Sequence, residues 1–316
     1  MAAQIILPHE VMPVNNIVLY MYGPPSMWKS SIGQSAVNAL HINADNGMHR
    51  VSPKLRRNAV LNAERWNDVY CLTEQDLTPY KTIVIDTVGT LLEMIRAEFA
   101  ENPNNTHSFG GLKQHIYGIV NNRFSEFVSR LIRWGKDVVF IAHAAEDKNE
   151  EKVIIRPEIG GKSRQELYRL SDAMAYLCFE KQRNGALKRV LRFSANDEHH
   201  AKDCANLRTI DVPNLNQNPT FLGDLIEHIK KELNTMTPEQ VAYQENLQTW
   251  IHWQKSCNEA QYASEFNDLM LDLKKYVDDE HPWRQEMWHC LKAAATAKEL
   301  THDKTLNTWR EVQAAV

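Results

Sequence analysis

The chain has 316 residues, a formal net charge of −4 and 43% hydrophobic residues, enough for one large domain plus a smaller one with a substantial core. No run of some 18 apolar residues occurs, which excludes a membrane-spanning helix; the mild acidity argues against indiscriminate nucleic-acid binding while leaving room for a local basic surface. The five cysteines (Cys71, Cys178, Cys204, Cys257, Cys290) are dispersed without a C-x-x-C pair, the pattern of free thiols in a reducing cytoplasm.

The first sixteen residues lack a basic stretch followed by a long apolar core, so no signal peptide is expected. Ile17 to Tyr22 is a short apolar run that predicts a buried strand. It breaks at Gly23-Pro24-Pro25, continues through Ser26, Met27 and Trp28, and re-forms as a helix opening on Lys29-Ser30-Ser31. Strand, tight loop and helix are the setting of a phosphate-binding loop, whose successive N–H groups and helix N-terminus face an anion. In that pattern Lys29 reaches the β- and γ-phosphates and the Ser30 hydroxyl sits on Mg²⁺. Trp28 stands where the pattern has glycine. If the position takes a positive φ, a bulky residue there costs about 1–2 kcal/mol.

A helix over Ser31–Ala39 and a strand over Leu40–Ala44 are predicted next, the strand ending at Asp45-Asn46-Gly47. Asp45 is either a general base beside the loop or a turn residue. Residues 48–66 are basic and irregular, and Asn67–Leu72 suggests another strand. Thr82 to Ile85 is a β-branched run suited to a central parallel strand, and it ends on Asp86, in the manner of a Walker B aspartate that holds Mg²⁺. Val88–Ala100 is predicted helical, residues 101–111 a flexible loop, and 112–135 a helix whose apolar residues recur at steps of three and four. Asp137 to His143 is a third buried strand. His143 at its end is either a γ-phosphate sensor or a hydrogen-bonded structural residue.

Residues 144–162 form a long charged connection containing an extended piece, Val153–Ile155. A helix over Ser163–Leu170 precedes strands over Ala173–Gln182 and Leu187–Ser194, joined at Arg183-Asn184-Gly185. Lys181, Arg183, Lys188, Arg189 and Arg192 cluster on this hairpin, as a solvated edge or a surface for nucleic-acid phosphates. His199-His200 point apart on either secondary structure, so no metal site is expected there. Polar, proline-bounded Asp211–Pro219 reads as a linker. The division expected is therefore a nucleotide-binding domain over 1–210, a linker over 211–219 and an all-helical region over 220–316. Thr237-Pro238-Glu239-Gln240 has the form of a capping box. Five of the eight tryptophans (Trp250, Trp253, Trp283, Trp288, Trp309) lie in this tail, either building its own core or forming a docking surface for a partner.

The ends of three strands thus gather Gly23–Ser31, Asp86 and His143, with Asp45 beside them, on one edge of an α/β sheet. The chemistry implied is triphosphate binding with Mg²⁺ and slow hydrolysis. YGPPSMWKSS, HINADNG, KTIVIDTVGTLL, DVVFIAHAAEDK, RPEIGGKS and HHAKD together resemble the phage-encoded RecA-like P-loop ATPases, within these the single-strand annealing (Sak-type) group, over roughly residues 14–210. The resemblance implies a RecA-like core with a mostly parallel sheet, ATP and Mg²⁺ as cofactors, and action on single-stranded DNA in recombination or replication. It implies Lys29 and Ser30 as phosphate and Mg²⁺ residues, Asp86 as the second Mg²⁺ residue, Asp45 as catalytic acid and His143 as sensor. It further implies a ring or filament with loops 101–112 and 144–161 facing DNA, Lys202 reaching a neighbour's nucleotide, and residence in the bacterial host cytoplasm. A helicase or helicase loader, and a degenerate nucleotide-binding module whose tail docks a single-strand DNA-binding or replication protein, are the alternatives.

Overall fold

The computed structural model describes residues 6–149, 152–278 and 281–311. The chain separates into two units, Pro13–Asn234 and a second made of the N-terminal segment to Met12 together with Thr235 onward.

In the first unit β1 (Val18–Gly23) leads into α1 (Lys29–Gly33), β2 (Ala39–Asn43), β3 (Ala59–Asn62), α2 (Trp66–Tyr70), α3 (Glu74–Leu77) and β4 (Thr82–Asp86). Then come α4 (Val88–Ala100), α5 (Gln114–Arg133), β5 (Asp137–Asn149), β6 (Lys152–Pro157), α6 (Gly161–Leu170), β7 (Ala173–Lys181), β8 (Leu187–Arg192), β9 (Thr209–Asp211) and α7 (Phe221–Leu233). The sheet has nine strands in the order β3-β2-β4-β5-β1-β7-β8-β9, with β6 pairing on β5. The β3-to-β7 stretch is parallel throughout, whereas β6, β8 and β9 join antiparallel.

Strands buried on both faces explain the unbroken apolar runs. Alternate residues feed two cores. Tyr20, Tyr22, Ile83, Ile85 and Phe140 meet α2, α4, α5 and α6 through Trp66, Leu91, Phe124, Phe127 and Leu167. Leu19, Met21, Val84, Val139 and Ile141 meet α1 and α7 through Ile32, Leu222, Leu225, Ile226 and Ile229. A buried ion pair also fixes α7, Lys230 Nζ lying 2.7 Å from Asp137 Oδ2 at the start of β5.

These contacts correct the expected division. The segment 211–219 is no boundary, because the apolar face of α7 completes the core of the first unit, and the separation falls after Asn234. Two local assignments also change. Asn67–Leu72 belongs mostly to α2, where Asp68 accepts from the backbone N–H of Arg65, and the edge strand β3 lies in the stretch expected to be irregular.

The second unit holds α8 (Pro238–Glu259), α9 (Ala263–Asp278), α10 (Arg284–Ala297) and a hairpin of β10 (Leu300–Asp303) and β11 (Thr308–Glu311). The Thr237 capping box forms as expected. The region is helical apart from this hairpin, which the apolar pattern did not announce. Trp253, Phe266, Met287, Leu291 and Trp309 build its core, with Trp250 and Trp288 packed against it. Trp253 donates to the Met287 carbonyl at 2.9 Å.

Candidate functional site

The parallel register brings four strand ends to one edge. Asn43 of β2 is level with Asp86 of β4, Asp86 with Ile141 of β5, and His143 of β5 with Gly23 of β1. Strand β5 therefore runs between the strand that feeds the loop and the strand that ends in the acid.

The loop begins at Gly23 because nothing larger fits: a Cβ there would lie 2.5 Å from the Leu177 carbonyl oxygen. Pro24 and Pro25 carry no N–H. Among the described residues, the backbone amides from Met27 to Ser31 donate to no backbone or side-chain acceptor. Unpartnered amides in succession on a tight turn form a concavity suited to an anion. The sequence predicts a helix over Ser31–Ala39, but α1 spans only five residues, Lys29–Gly33. The cradle thus depends on the loop's own N–H groups more than on a helix dipole. Trp28 takes φ 71, ψ 21, the left-handed conformation that glycine adopts freely, and Ser26 has φ 62. Trp28 is 43% exposed.

Lys29 is buried, and its ammonium donates to the carbonyls of Gly23 at 2.8 Å and Pro24 at 2.7 Å. Burial pushes its pKa down to about 8, against the opposing pull of the nearby Asp86 and Asp45 carboxylates. Asp86 is 2% exposed. Burial would raise its carboxyl, but hydrogen bonds from His41 (Nε2 to Oδ2, 3.2 Å) and Ser30, with the charge of Lys29, hold it below the ordinary value. The Ser30 hydroxyl is near enough to the Asp86 carboxylate to lower its pKa, and the two are hard oxygen donors of the kind Mg²⁺ takes alongside water and phosphate oxygens. Among the described residues no group of three or more His, Cys, Asp or Glu could hold a metal.

Asp45 serves the turn: its Oδ1 accepts from Gly47 N–H at 2.9 Å, and a Cβ on Gly47 would come within 2.8 Å of it. It is also close enough to raise the pKa of Lys29. Both readings of this residue therefore have a physical basis. His143 has a buried Nδ1 without a hydrogen-bond partner. It borders a cavity of about 350 Å³ lined by Thr87, Glu93, Arg96, Glu158 and Gly160 among others. A second cavity, of about 850 Å³, shares Arg96 and Gly160 with it and continues to His115, Tyr117 and Lys162.

Lys202 is not brought to the loop of its own chain. Its ammonium donates to the Ser171 carbonyl, at the opposite end of the strands. The basic hairpin is partly neutralised from within, Lys188 pairing with Glu180 and Asp211 and Arg192 with Glu180. Residues 144–149 and 152–157 pair as the β5–β6 hairpin, where the sequence predicts a long charged connection with only the short extended piece Val153–Ile155; residues 150 and 151 lie outside the described residues. His41 is the site residue the sequence reading missed. Its strand is apolar on either side, and only the pairing of β2 with β4 reveals that it faces Asp86.

A mostly parallel sheet with a lysine-bearing loop after β1, a buried aspartate at the end of β4 and one strand between them defines a RecA-like P-loop nucleotide-binding fold. A family model described as an AAA domain matches residues 15–205, more than half of the chain, and the protein belongs to that AAA-domain family. No curated protein matches it. Among solved structures, a KaiC-like protein of the hyperthermophilic archaeon Pyrococcus horikoshii OT3 is similar at 11% identity and a TM-score of 0.35, over 62% of this chain and 89% of that one. No helix among the described residues is long and apolar enough to cross a membrane.

Proposed function

We propose that the protein binds and hydrolyses ATP with Mg²⁺ and couples the nucleotide to single-stranded DNA as a ring or filament, in strand annealing or replication of the phage Sak type. The observation that carries the ATP part is Lys29. A buried ammonium bonded to two loop carbonyls and favoured by two nearby carboxylates, beside a row of unpartnered amides, is an anion site with its own cation. In this reading the amides and Lys29 bind the β- and γ-phosphates, while Ser30 and Asp86 hold the metal, which supplies charge neutralisation on the phosphate oxygens. Asp45 orients or deprotonates the attacking water, and His143 senses the terminal phosphate from the neighbouring strand.

The linked cavities support the DNA part. They lead from His143 past Arg96 to Tyr117 and Lys162, a mixture of cations and an exposed ring suited to a strand with stacked bases. At the tip of loop 101–112, Phe109 is 86% exposed and stacks on His107 at 5.1 Å, beside Gly110 and Gly111 at positive φ. Nucleotide then sets DNA affinity through the hairpin that His143 begins. Fluorescence anisotropy of labelled single-stranded DNA tests this. ATP is expected to tighten binding by the wild-type protein and to leave Lys29→Ala unchanged; equal ATP-dependent binding by both would rule the proposal out.

A further inference from the structure

Trp28, Arg189 and Phe179 stack beside the phosphate loop. The Arg189 guanidinium carbon lies 3.7 Å from the centre of the Trp28 ring, and Phe179 backs it from 4.9 Å. Phe179 and Arg189 are direct partners across the β7–β8 ladder. They share the alternation of Leu177 and Leu191, so both stand on the sheet face that carries α1. Lys188 and Arg192 of the ladder pair with carboxylates, Glu180 of β7 and Asp211 of β9. Arg189 has no ion pair among the described residues, its Nε is buried without a partner, and burial lowers its pKa. A half-buried cation left without a carboxylate draws its attraction from the faces of aromatic rings.

We propose that Arg189 is a positioning residue that clamps Trp28 in its left-handed conformation and so keeps the loop amides and α1 formed for a polyphosphate. This deepens the nucleotide reading above and depends on it only for the ligand's identity. Glycine would hold φ 71 unaided; tryptophan does not, and the stack compensates. The loop's order passes directly into α1. The Trp28 carbonyl accepts from Ile32 N–H at 2.8 Å and the Ser30 carbonyl from Gln34 N–H at 3.0 Å. A five-residue helix is too short to hold itself, so freeing Trp28 frees its start.

The test is a double-mutant cycle of Arg189→Ala and Trp28→Gly with two readouts. One is native-state hydrogen exchange at the Ile32 and Gln34 amides without nucleotide; the other is ATP affinity with Mg²⁺ by titration. Arg189→Ala alone is expected to speed exchange at both amides about five- to thirtyfold, the factor that follows from losing one aromatic–cation contact, and to weaken ATP binding in parallel. In the Trp28→Gly background it is expected to change neither, because glycine needs no clamp. Arg189→Lys keeps the charge but loses the planar stack and is expected to fall between. Unchanged exchange in Arg189→Ala overturns the proposal, as does an equal loss of ATP affinity in both backgrounds, which would mean direct contact with the nucleotide. Should the wild-type protein bind no ATP, the exchange measurement still decides the clamp, so the two failures are told apart.

Discussion

Lys29 gives the loop a titratable signature. Its pKa in the free protein is pushed down to about 8 by burial, whereas the unfolded chain carries an ordinary lysine. Between about 8 and 10.5 the unfolded state therefore holds more protons, and stability rises with pH. The penalty, about 3 kcal/mol from the size of the shift, is full below pH 8 and gone above the unfolded value. A bound polyphosphate reverses the shift, because its charge favours the ammonium. Binding is then accompanied by proton uptake of ~0.1 at pH 7, roughly half a proton at pH 8 and ~0.9 at pH 9. The nucleotide itself contributes little over this range, since terminal phosphates titrate near pH 6. Calorimetric titration with ATP in two buffers of different ionisation enthalpy reads the uptake directly. From pH 8 to 9 the affinity is expected to fall about fivefold. Uptake that stays near zero at pH 9 would refute the burial of Lys29 as the basis of the site.

Breaking the buried pair with Lys230→Ala leaves Asp137 uncompensated and is expected to destabilise the first unit by about 3–5 kcal/mol in urea unfolding. Residues 13–234 are expected to fold alone with a cooperative transition, whereas ending the chain at Pro219 strips α7 from the core and yields an unfolded or molten product by near-UV circular dichroism. Gly223→Ala forces a methyl to within 2.5 Å of Val37 Cγ2, so a lower Tm is expected with no change in nucleotide affinity. Phe109→Ala is expected to weaken single-stranded DNA binding by about 1–3 kcal/mol in anisotropy titrations, leaving ATP affinity intact.

The features legible in the sequence are those set by local pattern. β4 is an apolar run ended by Asp86, and α4 occupies Val88–Ala100 as its periodicity requires. The loop follows from Gly-Pro-Pro and Lys-Ser-Ser, and even the strain at Trp28 follows from the glycine it replaces. What escaped depends on partners distant in sequence. β3 is short and mostly exposed, so only its pairing with β2 makes it a strand. The apolar face of α7 is plain in the sequence, but nothing local says that it covers the sheet and leaves the following helices to build their own core. His41 beside Asp86 and Arg189 over Trp28 are side-chain pairs made by strand order alone.

The most direct measurement of the central claim is ATP turnover by the purified protein with Mg²⁺, with and without single-stranded DNA, beside Lys29→Ala and Asp86→Asn. Wild-type turnover that rises with DNA and is lost in both variants is the expected result. Turnover that survives both substitutions, or a wild-type protein that neither binds nor hydrolyses ATP, would contradict a triphosphate site built from Lys29 and Asp86.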